Sequence, residues 1–442
     1  MKLAVVVQRY GADLNGGAEL HARYIAERLA RHADVEVLTT CARDYITWRN
    51  ELPKGVEEIN GLRVRRFAVS RERDPKDFGR QSAYVFNQRH SIADELKWLH
   101  AEGPTSPTLV NHLQRRASGY DYVIFFSYRY YHTYHGVRAT PQRAILVPTA
   151  ERDPVLGLAI FGPAFRGVRA VMYNSHEERA LIHEVSGNRD VPGVVVGVGS
   201  YVPETADAAR FRARTGLAGR FALYVGRIDE NKGCSEMFDY FLRYAAQVSR
   251  SMELVLIGSP VMPIPPHPRI RHLGFVTDEE KYDIMAAADV LLMPSYFESL
   301  SMVTIEAWAM RLPVLVNGHC DVLRGQTIRA NAGLYYESYG EFAEGLHALE
   351  SSRALRRALA GNGRTYYERH YTWDVIDRKY LTMLERLQDA NLNGYEALTE
   401  PQPGWLERRR RVQPPARSLV EQLPTGPACD HADDANQQDP HQ

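Results

Sequence analysis

Short apolar runs alternate with longer amphipathic stretches along this chain, and the alternation comes in two series. Leu3–Val7 reads as a buried strand, and a loop from Gly11 follows, ending in Asn15-Gly-Gly17. Ala18–Arg31 is predicted to be a helix, because Leu20, Tyr24, Ile25 and Leu29 share one face. Val35–Thr39 is the next strand. A strand, a glycine loop, a helix and a strand in this order open a doubly wound α/β domain. Further strands are predicted at Arg63–Val69, Asp121–Phe126, Ala144–Val147 and Ala170–Tyr173, while the charge-rich residues 71–115 are expected to form helices and an insertion.

The stretch Gly193-Val-Val-Val-Gly-Val-Gly-Ser200, followed by Pro203, reads as a hinge. A second series follows it. Phe221–Val225 is a strand, Cys234–Val248 a helix and Glu253–Ile257 a strand, and after the proline-rich loop 260–268 comes a strand near Ile270–Phe275 and a helix from Asp278. Ala288–Met293 is a buried strand, Ser301–Met310 a helix ending before Pro313, and Pro313–Val316 the last strand expected. Helices near 340–350 and 353–370 precede a long one over Trp373–Asp389. The predicted fold class is α/β, with two Rossmann-like doubly wound domains facing across a cleft. The expected divisions are residues 1–200, 201–372, a helix at 373–395 packing back on the N-terminal domain, and a disordered tail at 396–442. Prolines 401, 403, 414, 415, 424, 427 and 440, interleaved with the basic run Arg408–Arg411, set that tail apart.

Composition narrows the function classes. Lys+Arg and Asp+Glu both number 54, a formal net charge of zero that argues against a dedicated nucleic-acid binder. Cys41, Cys234, Cys320 and Cys429 form no CxxC pair, so a reducing compartment is expected rather than a disulfide framework or zinc site. The apolar run after Met1-Lys2 is too short for a signal peptide, and no stretch reaches the ~20 apolar residues that span a bilayer. A cytoplasmic protein is expected, with peripheral contact to the inner face of a membrane left open.

The candidate chemistry sits just after two predicted strands. Glu298 lies in the loop before the helix at Ser301, and Glu306 about two turns into it. Free N–H groups at a helix start favour an anion, so the amides of Leu300 and Ser301 suit a phosphate and the two carboxylates suit hydroxyls. Gly226 lets the chain leave the tip of the strand Phe221–Val225, and Arg227 and Lys232 place two cations near it. Departure of a nucleoside diphosphate develops negative charge that a metal or cationic side chains must stabilise. The sequence has no Asp-x-Asp pair and no clustered His or Cys ligands, so Arg227 and Lys232 are the simpler choice and no metal or cofactor is expected.

Residues 221–233 and 288–318 together resemble the retaining family-4 glycosyltransferases of the GT-B fold (glycosyl transferases group 1). The Gly-Arg-x4-Lys-Gly segment of that family stands here as Gly226–Gly233, and its Glu-x7-Glu motif as Glu298–Glu306. Gln8-Arg-Tyr-Gly11 with Gly16-Gly17-Ala-Glu19 is similar to the family's glycine loop, and Asn362-Gly-Arg to Tyr371-Thr-Trp373 to its C-terminal helix region. The resemblance implies a nucleotide-sugar substrate, with UDP- or GDP-sugars the leading candidates. It implies that Arg227 and Lys232 meet the diphosphate, Glu298 the sugar, Glu306 the ribose, and Gly274-Phe275 the base. Gly16 and Gly17 would let backbone approach the diphosphate. It also implies retention of configuration, with the leaving phosphate accepting the acceptor's proton. Many relatives carry a histidine after a strand ending like Val147-Pro-Thr-Ala150; here Glu151-Arg-Asp153 follows instead. Glu151, His132 and His135 are therefore the candidates for the sugar or acceptor side. The acceptor classes of the family include lipid-linked sugars and polysaccharide precursors.

Two other readings stand beside this one: a nucleotide-sugar epimerase on a similar fold, and a non-catalytic nucleotide-sugar-binding protein. The paired basic and acidic motifs disfavour both. A dehydrogenase is disfavoured because Asn15-Gly-Gly17 lacks the G-x-G-x-x-G spacing.

Overall fold

A computed structural model describes the chain apart from Asn15, Arg250 and residues 393–442. The expected disordered tail, with Arg408–Arg411 and Cys429, lies outside the described residues, as does Asn15 of the glycine loop.

The N-terminal sheet contains β1 (Lys2–Val6), β2 (Asp34–Thr40), β3 (Gly55–Ile59), β4 (Leu62–Phe67), β5 (Tyr122–Phe126), β6 (Ala144–Val147), β7 (Ala170–Tyr173) and β8 (Gly193–Val195). Their order is β3-β4-β2-β1-β5-β6-β7-β8, and every pair is parallel except the hairpin β3–β4. The C-terminal sheet contains β9 (Phe221–Val225), β10 (Glu253–Ile257), β11 (Ile270–His272), β12 (Val290–Met293), β13 (Val314–Asn317) and β14 (Gly333–Tyr336). It is wholly parallel in the order β11-β10-β9-β12-β13-β14. Parallel strands must be covered by helices on both faces, so their apolar runs are near-continuous, as in β5, Tyr-Val-Ile-Phe-Phe, buried at all five positions.

Three expectations are corrected here. Gly193–Val195 was expected in a hinge but forms the outermost strand of the first sheet, held against Val171–Tyr173. Val314–Asn317 is not the last strand, since Gly333–Tyr336 pairs with it as an edge. The strand near 270 stops at His272 rather than Phe275. Residues 75–87, 92–102 and 107–116 form three helices within the stretch expected to hold an insertion.

The order of each sheet reverses at one place, between β1 and β5 in the first and between β9 and β12 in the second. At such a switch point the loops leave in opposite directions and open a crevice at the strands' C-terminal ends. The long helix Trp373–Leu392 returns to the first domain: Arg28 pairs with Asp377, Lys379 Nζ donates to the Val196 carbonyl at 3.1 Å, and Asn391 Nδ2 donates to Tyr122 Oη at 3.0 Å. No described helix is long and apolar enough to cross a membrane.

Candidate active site

Both switch points open on one cavity of about 500 Å³. Its N-terminal wall comes from residues that follow strands: Gln8 after β1, Ser127, Arg129 and Tyr130 after β5, Thr149 and Glu151 after β6, and Asn174 after β7. Gly17, Ala18, Glu19 and His21, from the start of the helix Gly17–Leu29, complete it. The C-terminal wall comes from Gly226, Arg227 and Lys232 after β9 and from Ser295 and Glu298–Val303 after β12. The cavity size falls in the range of small-molecule sites.

Local chemistry explains how these side chains are held. The Asp229 carboxylate accepts from the Lys232 backbone N–H at 3.0 Å and pairs with Arg227, so one residue caps the turn and orients a cation. Arg227 Nη1 also donates to Tyr45 Oη of the other domain at 2.7 Å. Lys232 Nζ donates to Glu298 Oε1 at 2.7 Å. Burial alone would lower the Lys232 ammonium's pKa, but the Glu298 charge and hydrogen bond outweigh it and hold it above the usual value. Ser301 caps its helix through Oγ, which accepts from Thr304 N at 3.3 Å. Leu300 and Ser301 thus line the cavity at a helix start, where backbone N–H groups are free.

Gly16 is closely covered by a side chain of its own helix. A Cβ there would meet Glu19 Oε2 at 2.2 Å, because that carboxylate folds back to receive Arg9 Nε at 2.8 Å. Gly17, by contrast, faces open space and the cavity.

The remaining sequence candidates sit elsewhere. Glu306 does not line this cavity; it is buried and accepts from Lys281 Nζ at 3.1 Å. Burial raises its pKa against the opposing pull of Lys281. Gly274 and Phe275 also lie outside the cavity, with Phe275 74% exposed. His132 is fully buried on the helix Tyr131–Ala139, stacked on Tyr130, with both ring nitrogens unpartnered. His135, on the same helix, packs among Tyr131, Tyr134 and His100. Neither histidine lines the cavity. Glu151 does, and burial together with the Glu298 charge lifts its carboxyl to about 7.

Beside Gln8, which opens the segment likened to the glycine loop, the cavity holds residues that the sequence did not single out. Gln8 Oε1, His21 Nε2, Asn174 Oδ1 and Ser295 Oγ are buried polar atoms without a hydrogen-bond partner, and all four residues line it. Such atoms are costly in a buried setting unless something satisfies them. His21 is held neutral, its pKa lowered by burial to about 3. Glu178 was also missed. It accepts from the Ala150 N–H at 2.6 Å and the Asn174 N–H at 2.5 Å, joining the ends of β6 and β7. The pattern Ser175-x-x-Glu178 after a predicted strand was the available signal for its helix.

Two Rossmann-like domains with switch points on a shared polar cavity, two cations on one wall and carboxyls on both, define a GT-B architecture. Comparisons agree. Residues 219–351 match the family model described as glycosyl transferases group 1, and residues 16–199 match the glycosyl transferase 4-like domain. The chain belongs to the family-4 glycosyltransferases, group 1.

Over 184 residues it is 28% identical to the capsular polysaccharide biosynthesis glycosyltransferase CapM of Staphylococcus aureus, covering 37% of this chain and 46% of that one. Over 200 residues it is 24% identical to the mannosylfructose-phosphate synthase of Agrobacterium fabrum, covering 41% and 44%. The chain thus spans less than half the length of these curated relatives. Among solved structures, Anabaena HepE in complex with UDP-glucose superposes with a TM-score of 0.64 at 18% identity, covering 87% of this chain and 100% of that one, a likeness of fold.

Proposed function

We propose that this protein transfers a sugar from a UDP- or GDP-sugar to an acceptor, with retention of anomeric configuration and without a metal, in polysaccharide or cell-envelope biosynthesis. The observation that carries the reading is the convergence of Arg227, Lys232 and Glu298 on one cavity between the two domains. In the free protein Lys232 and Glu298 neutralise each other. A bound donor would separate them, its diphosphate taking Lys232 and Arg227 and a sugar hydroxyl taking Glu298. As the bond from the anomeric carbon to the phosphate oxygen breaks, the electron pair stays with the diphosphate, where the two cations stabilise it. The acceptor oxygen then bonds the anomeric carbon, and its proton passes to the leaving phosphate. Glu306, on the helix Met302–Ala309 that follows Glu298 and behind the cavity wall, would take the ribose hydroxyls by exchanging with Lys281. HepE, whose structure holds UDP-glucose, supports the choice of a nucleotide sugar.

The test is release or transfer of sugar from a panel of UDP- and GDP-sugars in the presence of a chelator. Arg227→Ala and Glu298→Ala should each slow the reaction by ~10²-fold or more, the scale for one preorganised electrostatic contact. Unchanged rates in both variants, or complete dependence on a divalent metal, would sink the mechanism.

A further inference from the structure

Arg227 is held from both domains. Its Nε pairs with Asp229 of its own turn, and its carbonyl accepts from Tyr224 Oη at 2.8 Å. Its Nη1 donates at 2.7 Å to Tyr45 Oη, on the loop between β2 and β3 of the other sheet. The Tyr45 ring also meets two guanidinium groups, its centroid 5.9 Å from Arg227 Cζ and 5.4 Å from Arg9 Cζ. Among the described residues, Arg227 Nη2 has no hydrogen-bond partner, and Arg227 lines the cavity. Tyr45 itself is 46% exposed, yet its loop is tightly held. The Asp44 carboxylate accepts from Ile46 N at 2.5 Å and from Thr47 N at 3.1 Å. Arg73 Nη1 donates to the Tyr45 carbonyl at 3.0 Å, and Arg73 N to the Thr47 carbonyl at 2.6 Å. Trp48, buried, donates through Nε1 to the Glu102 carbonyl at 2.7 Å, and it does so at φ +59°, a left-handed conformation disfavoured for a residue with a Cβ. A strained, firmly anchored loop around a half-exposed side chain serves that side chain's contact rather than the core.

From this geometry we infer that Tyr45 is a positioning residue for Arg227: from the N-terminal domain it orients the guanidinium so that the free Nη2 edge meets the leaving phosphate. The inference rests on the nucleotide-sugar reading. Asp229 grips the guanidinium at Nε only, and an arginine side chain so placed keeps much of its rotamer freedom. Tyr45 Oη fixes Nη1 as well, so the cation stands in place before charge develops on the diphosphate. That charge falls on the phosphate that bore the sugar, the one a nucleoside monophosphate lacks. Tyr45 does not line the cavity and acts through Arg227 alone.

The experiment is titration calorimetry of UDP, UMP, GDP and GMP with wild type, Tyr45→Phe, Arg227→Ala and the double variant. With the base that binds, wild type should prefer the diphosphate to the monophosphate. Tyr45→Phe should lose ~10-fold of that preference, the worth of a hydrogen bond to a charged group, while its affinity for the monophosphate stays within about twofold of wild type. On the Arg227→Ala background the same substitution should change the preference less than about twofold, because the group it positions is gone. A role in packing the loop or docking the domains would instead weaken mono- and diphosphate alike, on both backgrounds. That result, an unchanged preference in Tyr45→Phe, or no preference in wild type would overturn the assignment of Tyr45 while the donor site stands. If wild type binds none of the four probes, the nucleotide-sugar reading itself fails.

Discussion

Gly233→Ala should damage both stability and chemistry without removing a single functional group. Gly233 has φ +72° and ψ +18°, a left-handed conformation at the junction between the Lys232 turn and the helix Cys234–Gln247. A Cβ there would lie 2.2 Å from the Pro294 carbonyl oxygen and 2.9 Å from its carbon. Both obstacles are backbone, and Pro294 is itself anchored, since its carbonyl accepts from Asn317 Nδ2 at 3.0 Å. Relief needs the two segments to part by about 1 Å, and the left-handed backbone adds ~1 kcal/mol for any residue with a Cβ. The total should be about 2–4 kcal/mol of stability, in the range of strained backbone positions. The same displacement separates Lys232, one residue before Gly233, from Glu298, four residues after Pro294. Misplacement of a reacting geometry by 1 Å can lower a rate ~10²-fold. Thermal and urea unfolding measure the first effect, and donor turnover at a temperature where the variant stays folded measures the second. A variant with wild-type stability and turnover would refute the packing argument. One that is destabilised but fully active would show that the Lys232–Glu298 spacing does not matter.

Arg28→Ala should destabilise the protein by ~3–5 kcal/mol in urea unfolding, because it strands Asp377 in a contact where both side chains are nearly buried. An effect under ~1 kcal/mol would mean that the Arg28–Asp377 pair adds little to the hold that the apolar face and the Lys379 and Asn391 hydrogen bonds already give the helix Trp373–Leu392. For pH, the Glu151 carboxyl is raised by burial and by the Glu298 charge, so the native state resists its ionisation. Its contribution to stability is full below the unfolded value and is lost as pH rises to about 7. Glu151→Gln should therefore gain in melting temperature relative to wild type between pH 4.5 and 7, and hold the gain above; a constant difference across that span would contradict the shift. Glu306→Ala should raise KM for the donor several-fold with a smaller change in kcat; an equal fall in kcat with KM unchanged would place Glu306 at the chemistry instead.

What could be read from the sequence was what lies in continuous stretches. Arg227, Lys232 and Glu298 were legible because each follows a buried strand, and strand ends are where open α/β sheets carry ligands. The meeting of Lys232 with Glu298 at 2.7 Å required no more than correct strand order. His21 and Asn174 were not legible: they come from a helix and a separate loop, each an ordinary polar residue until topology brings them to one wall. Periodicity located Glu306 two turns into its helix but said nothing of which neighbour that face meets, and the helix Asp278–Ala287 supplies Lys281. The strand Gly333–Tyr336 escaped because an edge strand is only partly buried and carries a weak apolar signal. Glycine spacing mimics a flexible loop at Gly193–Val195, the start of the expected hinge, but a Cβ at Gly193 would press on the Tyr173 ring at 2.6 Å, the close packing of a strand.

The most direct test of the donor site is a thermal-shift titration of wild type and Arg227→Ala with UDP, GDP and ADP in excess chelator. A specific nucleotide at 100 times its Kd should stabilise wild type by about 2.7 kcal/mol, visible as a shift of a few degrees, and Arg227→Ala should lose most of it. No shift with any of the three, or a shift that appears only when a divalent metal is restored, would contradict the assignment of this cleft to a metal-independent nucleotide-sugar site.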